Sequence, residues 1–165
     1  MSESTEAFHI PLEAAELYES AFVPAFFAQW APTLCSAAGV APGRRVLDVA
    51  CGTGIVARTA ADQGATVTGV DLNEAMLTVA RRSRSELDWR QGNAQDLPFA
   101  GDSFDVVVSQ MALMFFPDPV AAMAEMARVV VPGGTVAVLV PGALERQAAF
   151  APFVAMAACH AGPEA

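Results

Sequence analysis

Two acids, each at or near the end of an apolar run, are the first residues in this chain whose placement suggests chemistry. In "VLDVACGTG", residues 46–54, Asp48 is followed by Ala50, Cys51, Gly52, Thr53 and Gly54, a loop with almost no side-chain bulk. Asp71 ends the run "TVTGVD". Small residues let a ligand lie against the backbone, and glycine adopts conformations that other residues resist. Where a helix starts after such a loop, its free N–H groups and dipole attract a negative group. A carboxylate on the neighbouring strand tip can accept both hydroxyls of a ribose, so the pair suits a nucleoside.

Three readings fit this arrangement. The plainest is a tight strand-to-helix turn that binds nothing. The second is a dinucleotide site, because Gly52, Gly54 and Ala57 satisfy G-x-G-x-x-A and Asp71 lies near the distance of a ribose-binding acid. The third is a site for S-adenosylmethionine. Asp48 separates the last two: pyrophosphate is anionic and gains nothing from an adjacent acid, whereas a sulfonium and an ammonium are attracted to it. Asp71 serves either nucleoside.

The elements that must position these residues alternate along the chain. Residues 12–38 carry apolar side chains at helical spacing, among them Leu17, Phe22, Phe26, Phe27 and Trp30, with breaks expected near Pro24 and Pro32. Pro42-Gly43 is turn punctuation, and Val46 to Val49 reads as a strand. Ile55 to Gln63 reads as a helix ending at Gly64, "ATVTGVD" as a strand, and Asn73 as the cap of a helix towards Arg82. "LDWRQG" is a weaker strand and "SFDVVVSQ" a strong one. Asp118-Pro119 opens a helix through Met123, Met126 and Val129, "VPGG" reads as a turn, "TVAVLV" as the last strand, and Glu145 to Ala158 as a final helix. Strands and helices in alternation, with continuous apolar strands, predict a parallel sheet covered on both faces, with ligands bound at the strands' carboxyl ends.

"VLDVACGTG", "VTGVDLNEAML", "QGNAQDLPFAGDSFDVVVSQMALMFFPDP" and "EMARVVVPGGTVAVLV" resemble the class I S-adenosylmethionine-dependent methyltransferases, within them the small-molecule enzymes that methylate ubiquinone and menaquinone precursors. The resemblance covers residues 43–141 in motif order and spacing. It implies a Rossmann-like α/β/α sandwich with a mostly parallel sheet: an N-terminal helical cap over 1–41, a cofactor-binding core over 42–141, and the start of a C-terminal part over 142–165. The family's final antiparallel strand pair has no counterpart here. On this resemblance Asp48 and the backbone of Ala50, Cys51, Gly52, Thr53 and Gly54 face the methionine part and ribose. Asp71 holds the ribose diol, and Leu72 and Met76 line the adenine. Asn93 and Ala94, with Gln95 beside them, read the adenine edge, and Ser109, Gln110 and Met111 border the methionine end and the transferred methyl. Two positions depart from the family pattern: Asn93 stands where many relatives have an acid, and Ala50 replaces the first glycine of G-x-G-x-G.

Composition narrows the partners. The net charge is −9, and all nine basic residues are Arg. An acidic surface repels phosphate backbones, which argues against nucleic acid. The uncharged stretch 129–144 is too short and too broken by Pro and Gly to span a bilayer. Cys35, Cys51 and Cys159 are widely spaced, suiting a reducing, cytoplasmic compartment, and no metal-ligand cluster is visible. His9 and His160 read as surface residues. Tyr18 and Trp30 read as helix packing or as aromatic faces closing a pocket, and Met111, Met114, Phe115 and Phe116 equally as core or as pocket wall. The expected reaction is in-line methyl transfer to a small, partly hydrophobic acceptor, with S-adenosylhomocysteine as product and no residue nominated as general base. The alternatives are a non-catalytic binder of either compound, a truncated remnant, or a nicotinamide-dependent oxidoreductase. "TVAVLV" is expected at a sheet edge, left for residues outside this chain or for a second copy in a homodimer to complete.

Overall fold

The computed structural model describes residues 10–142, and the helix expected over Glu145 to Ala158 lies outside them, as do His9 and His160. Among the described residues five strands form one sheet: β1 (Arg45–Val49), β2 (Thr66–Asp71), β3 (Asp88–Gln91), β4 (Phe104–Gln110) and β5 (Val130–Leu139). Their order is β3-β2-β1-β4-β5 and every pairing is parallel. The chain reverses its direction of travel across the sheet between β1 and β4, so the crevice above their carboxyl ends is the switch point where such sheets take ligands.

The α/β expectation follows from where the side chains go. Val46, Val106 and Val108 face one layer, packed with Leu34 and Cys35 of α2 (Ala31–Ala38), Val56, Ala57 and Ala60 of α3 (Ile55–Asp62), and Leu77 and Ala80 of α4 (Glu74–Ser83). Leu47, Val49 and Val107 face the other, against Ala122, Met126 and Val129 of α5 (Pro119–Val129). Alternation along each strand is retained, but both faces are covered, so the inward positions on both sides of β1 and β4 are mostly apolar, with Asp48 and Ser109 as buried polar exceptions. Asn73 and Asp118 cap α4 and α5 as their sequence positions predict, accepting from Ala75 and Ala121 N–H respectively at 2.9 Å.

Two expectations are corrected. Pro24 does not break the cap: after α1 (Leu12–Leu17) the chain continues as a π-helix, Tyr18–Phe27, with Pro24 inside it. The wider turn, closed by Ala28 N–H donating to Val23 at 2.8 Å, relieves the clash that a proline ring makes in an α-helix. The "VPGG" segment is not a turn ahead of the last strand but an excursion within β5. Pairing jumps from Phe104–Val130 to Val106–Thr135, and Gly133 bridges the gap at φ +79°. Gly134 passes so close to Asp105 that a Cβ would lie 2.7 Å from its carbonyl oxygen.

β5 pairs with β4 alone among the described residues, and its strand is only half-buried. No described helix is long and apolar enough to cross a membrane.

Candidate functional site

The loop after β1 is held open by backbone conformation and by two carboxylates. Ala50, Gly52 and Gly54 all take positive φ, at +55°, +56° and +88°. For Ala50 this is a strained conformation that a β-carbon resists, at the position where the resemblance expects glycine. Gly54 is required for a different reason: a Cβ there would lie 2.3 Å from the ring of Trp89, which also fills the space beside Gly69. The last glycine of the motif therefore admits a core tryptophan rather than a ligand.

Asp71 ties the loop to the next helix. Its Oδ2 accepts Gly52 N–H at 2.7 Å and its Oδ1 accepts Asn73 N–H at 2.8 Å. Burial pushes its carboxyl above the ordinary range while these N–H groups oppose the rise. Asp48 lies deeper, about 1% exposed, and its Oδ2 accepts Ala57 N–H, in the first turn of α3, at 2.9 Å. Burial, with the charge of Asp71 adding to it, pushes Asp48 up to about 7 against that single bond. Tyr18 of the cap's π-helix approaches Gly52, and burial together with Asp71 and Asp48 pushes its phenol well up, so it stays a neutral donor.

Over these groups lies a cavity of about 570 Å³, within the usual range for small ligands (about 300–1,000 Å³). Of the residues the sequence nominates, Ala50, Gly52, Asp71, Leu72 and Met76 line one side of it. Asn93, Ala94, Gln95, Gln110 and Met111 line the other. Asp71 is the sole charged side chain in the lining among the described residues. Asn93 Oδ1 already accepts Gln95 N–H at 3.0 Å, so one of its two lone pairs is taken.

Five nominated residues are not part of the lining. Asp48 is turned to α3, and Gly54 lies under Trp89. Thr53 is buried, with a hydroxyl that has no partner, and Cys51 is buried with its thiol pushed well up by desolvation. Ser109 is fully buried and donates to the Val49 carbonyl at 2.9 Å, so it joins β4 to β1 instead of facing a ligand.

The next residue alternates to the open side. Gln110 lines the cavity, its Nε2 donates to the Phe27 carbonyl at 3.1 Å, and its Oε1 is buried without a partner. Met111 follows at φ +56°. Tyr18, Phe115 and Phe116 complete the wall as the pocket alternative anticipated, whereas Met114 is half-exposed and lies outside the lining. Sequence reasoning missed Ile10, Asn73, Gly92, Ala112 and Pro117. Gly92 had a signal: it is the glycine of "RQGNA", and a Cβ there would lie 2.9 Å from Val70. Ile10 had none, being brought in by the fold of the cap.

Residues 47–138 match the family described as Methyltransferase domain. A demethylmenaquinone methyltransferase of Renibacterium salmoninarum is 43% identical over 110 residues, covering 67% of this chain and 46% of its own. A protein of unassigned function from Mycobacterium tuberculosis is 46% identical over 112 residues, 66% of this chain and 41% of its own. This chain thus spans less than half the length of these curated relatives. Among solved structures, an S-adenosylmethionine-dependent methyltransferase from Mesorhizobium loti superposes with a TM-score of 0.62 at 30% identity, covering 69% of this chain and 54% of that one.

Proposed function

This chain belongs to the S-adenosylmethionine-dependent methyltransferase family, and from that premise we propose that its larger cavity binds S-adenosylmethionine and that the whole protein methylates a small, partly hydrophobic organic acceptor. The observation that carries the reading is Asp71: an acid in the lining, with no basic side chain beside it among the described residues. Such a floor favours a cation and disfavours pyrophosphate. The residues fit the cofactor on a further count: Gly52 keeps side-chain bulk away from the cavity floor.

In this reading Asp71 holds the ribose hydroxyls while its backbone donors keep it oriented. Leu72 and Met76 flank the adenine, and Asn93, Ala94 and Gln95 meet its edge. Tyr18 covers the loop with a neutral phenol and an aromatic face that attracts positive charge. Bound S-adenosylmethionine would supply an activated methyl for transfer to the acceptor, with its sulfonium becoming the neutral thioether of S-adenosylhomocysteine. The protein's share is alignment and exclusion of water, for which Met111, Phe115 and Phe116 supply apolar wall.

Calorimetric titration with S-adenosylhomocysteine and with NAD tests the cavity. The expected result is saturable binding of the first and none of the second, and the reverse overturns the reading. Transfer of radiolabelled methyl to a panel of small acceptors tests the activity.

A further inference from the structure

The turn after β3 brings Asn93, Ala94 and Gln95 to the cavity, and its continuation through Leu97 to Phe99 belongs to no strand or helix. The stretch is held instead by α5 and its cap residue, at three places. Asp118 donates its N–H to Gln95 Oε1 at 3.3 Å. Leu97 N–H donates to Glu125 Oε2 at 2.8 Å. Arg128 donates from Nη2 to the Leu97 carbonyl at 3.1 Å and from Nη1 to the Phe99 carbonyl at 2.9 Å.

Glu125 and Arg128 fix each other for this task. Arg128 Nε and Nη2 donate to Glu125 Oε1 and Oε2, both at 2.6 Å, a two-bond fork that sets the direction of each side chain. Those bonds hold the Glu125 carboxyl below the ordinary range, so it stays ionised and accepts from Leu97. A lysine at 128 would be a point charge without the fork, and would not serve the carboxylate and both carbonyls in this geometry. The stretch also has anchors that do not depend on the pair. Leu97 is buried in the core layer that holds Val70 and Met126. Phe99 packs edge-on to Phe104 with centroids 5.1 Å apart, and the Arg90 guanidinium lies 5.3 Å over its ring. Removing the pair therefore frees the backbone between 93 and 99 while the hydrophobic anchors keep the segment on the core.

Placement matters more here than charge. Asn93 is neutral, and one lone pair of its Oδ1 is already taken by Gln95 N–H, so the turn has no charge-assisted bond to offer an adenine. Its affinity for the base then depends on polar atoms standing in the right place before the ligand arrives. Resting on the reading of the larger cavity as the S-adenosylmethionine site, we infer that Glu125 and Arg128 are positioning residues for adenine. From outside the cavity lining they set where the 93–95 turn stands, and with it the preference for a purine bearing a 6-amino group.

The test compares S-adenosylhomocysteine with S-inosylhomocysteine, which carries a 6-oxo group in place of the amine, by calorimetry on the full chain. The unmodified protein is expected to prefer the first by about tenfold, the worth of one well-placed hydrogen bond. Arg128→Met and Arg128→Lys should each abolish that preference by weakening S-adenosylhomocysteine about tenfold while S-inosylhomocysteine stays within about twofold, which also shows that the variants are folded. Equal weakening of both ligands, as a merely structural role predicts, overturns the inference, and so does an unchanged preference in both variants or its absence from the unmodified protein. Should the variants lose their fold, hydrogen exchange at Leu97 N–H in the unmodified protein decides. Saturating S-adenosylhomocysteine should slow it more than saturating S-inosylhomocysteine does, and equal slowing overturns the inference. Failure of S-adenosylhomocysteine to bind the unmodified protein sinks the cofactor reading and the inference with it, whereas binding with an unaltered preference in the variants sinks the inference alone.

Discussion

At the tips of β1 and β2 the chain is pinned by acids, and at the tips of β4 and β5 it is walled by hydrocarbon. Asp48 and Asp71 each spend a carboxylate oxygen on a backbone N–H of the glycine loop or of the helix after it. Across the crevice, Leu139, Val140, Phe26 and Trp30 contribute apolar surface, and among the described residues the Gln110 amide ties the cap to the sheet through the Phe27 carbonyl. The first half resists change because a buried acid deprived of its donors is costly. The second tolerates change because apolar wall can be repacked. In this molecule a short motif encodes the half built on backbone geometry, and packing between distant segments encodes the other.

The contrast is sharpest at Gly54. Gly54→Ala would drive a methyl into Trp89 and strain a left-handed residue, and is expected to destabilise the fold by roughly 2–5 kcal/mol in denaturant unfolding. A near-neutral result would mean that Trp89 can move aside.

Asp48 comes next. Its carboxyl is held at about 7 against an ordinary 3.8, so the folded protein keeps a proton that the unfolded chain releases. Stability is therefore highest below about pH 4 on account of this group and falls as pH rises through 7. Asp48→Asn should flatten that slope, with the difference between the two proteins changing by roughly 2–4 kcal/mol between pH 4 and pH 8. Parallel pH profiles would show that Asp48 is ionised throughout.

Asp71→Ala should weaken S-adenosylhomocysteine by roughly 1–3 kcal/mol in calorimetry. Because Gly52 and Asn73 also lose their acceptor, a fall in stability should accompany it, and an unchanged affinity would remove Asp71 from the binding role. The smallest effect is expected on the cap. Glu16 and Arg82 form a largely exposed ion pair, 2.6 Å long, so Arg82→Ala should change stability by less than about 1 kcal/mol. A larger loss would place the cap's attachment among the strongly held parts of the molecule.

Much of the architecture was legible before folding. Val46 to Val49, "ATVTGVD" and "SFDVVVSQ" read as strands, Asn73 and Asp118 as caps, and the structure has strands and caps at these places. What failed did so for local reasons that a pattern does not carry. Pro24 reads as a breaker because the α-helix excludes it, yet a π-turn admits it. "VPGG" reads as a turn because Pro and Gly punctuate chains, yet β4 pairs with the strand on both sides of it, Phe104 with Val130 and Val106 with Thr135. Within the site, motif order located Asp71, Gly52, Asn93 and Gln110, but could not tell Ser109 from Gln110, since successive residues of a strand point to opposite faces.

The sequence by itself determined the alternation of strands and helices, the glycine loop and the acids beside it, because periodicity, capping and small residues act over a few positions. The tertiary structure alone decided which acid faces the cavity, that Gly54 serves a tryptophan 35 residues away, and that Phe26 and Trp30 meet the end of β5. Those outcomes depend on through-space packing between segments far apart in the chain, and no local spacing records them.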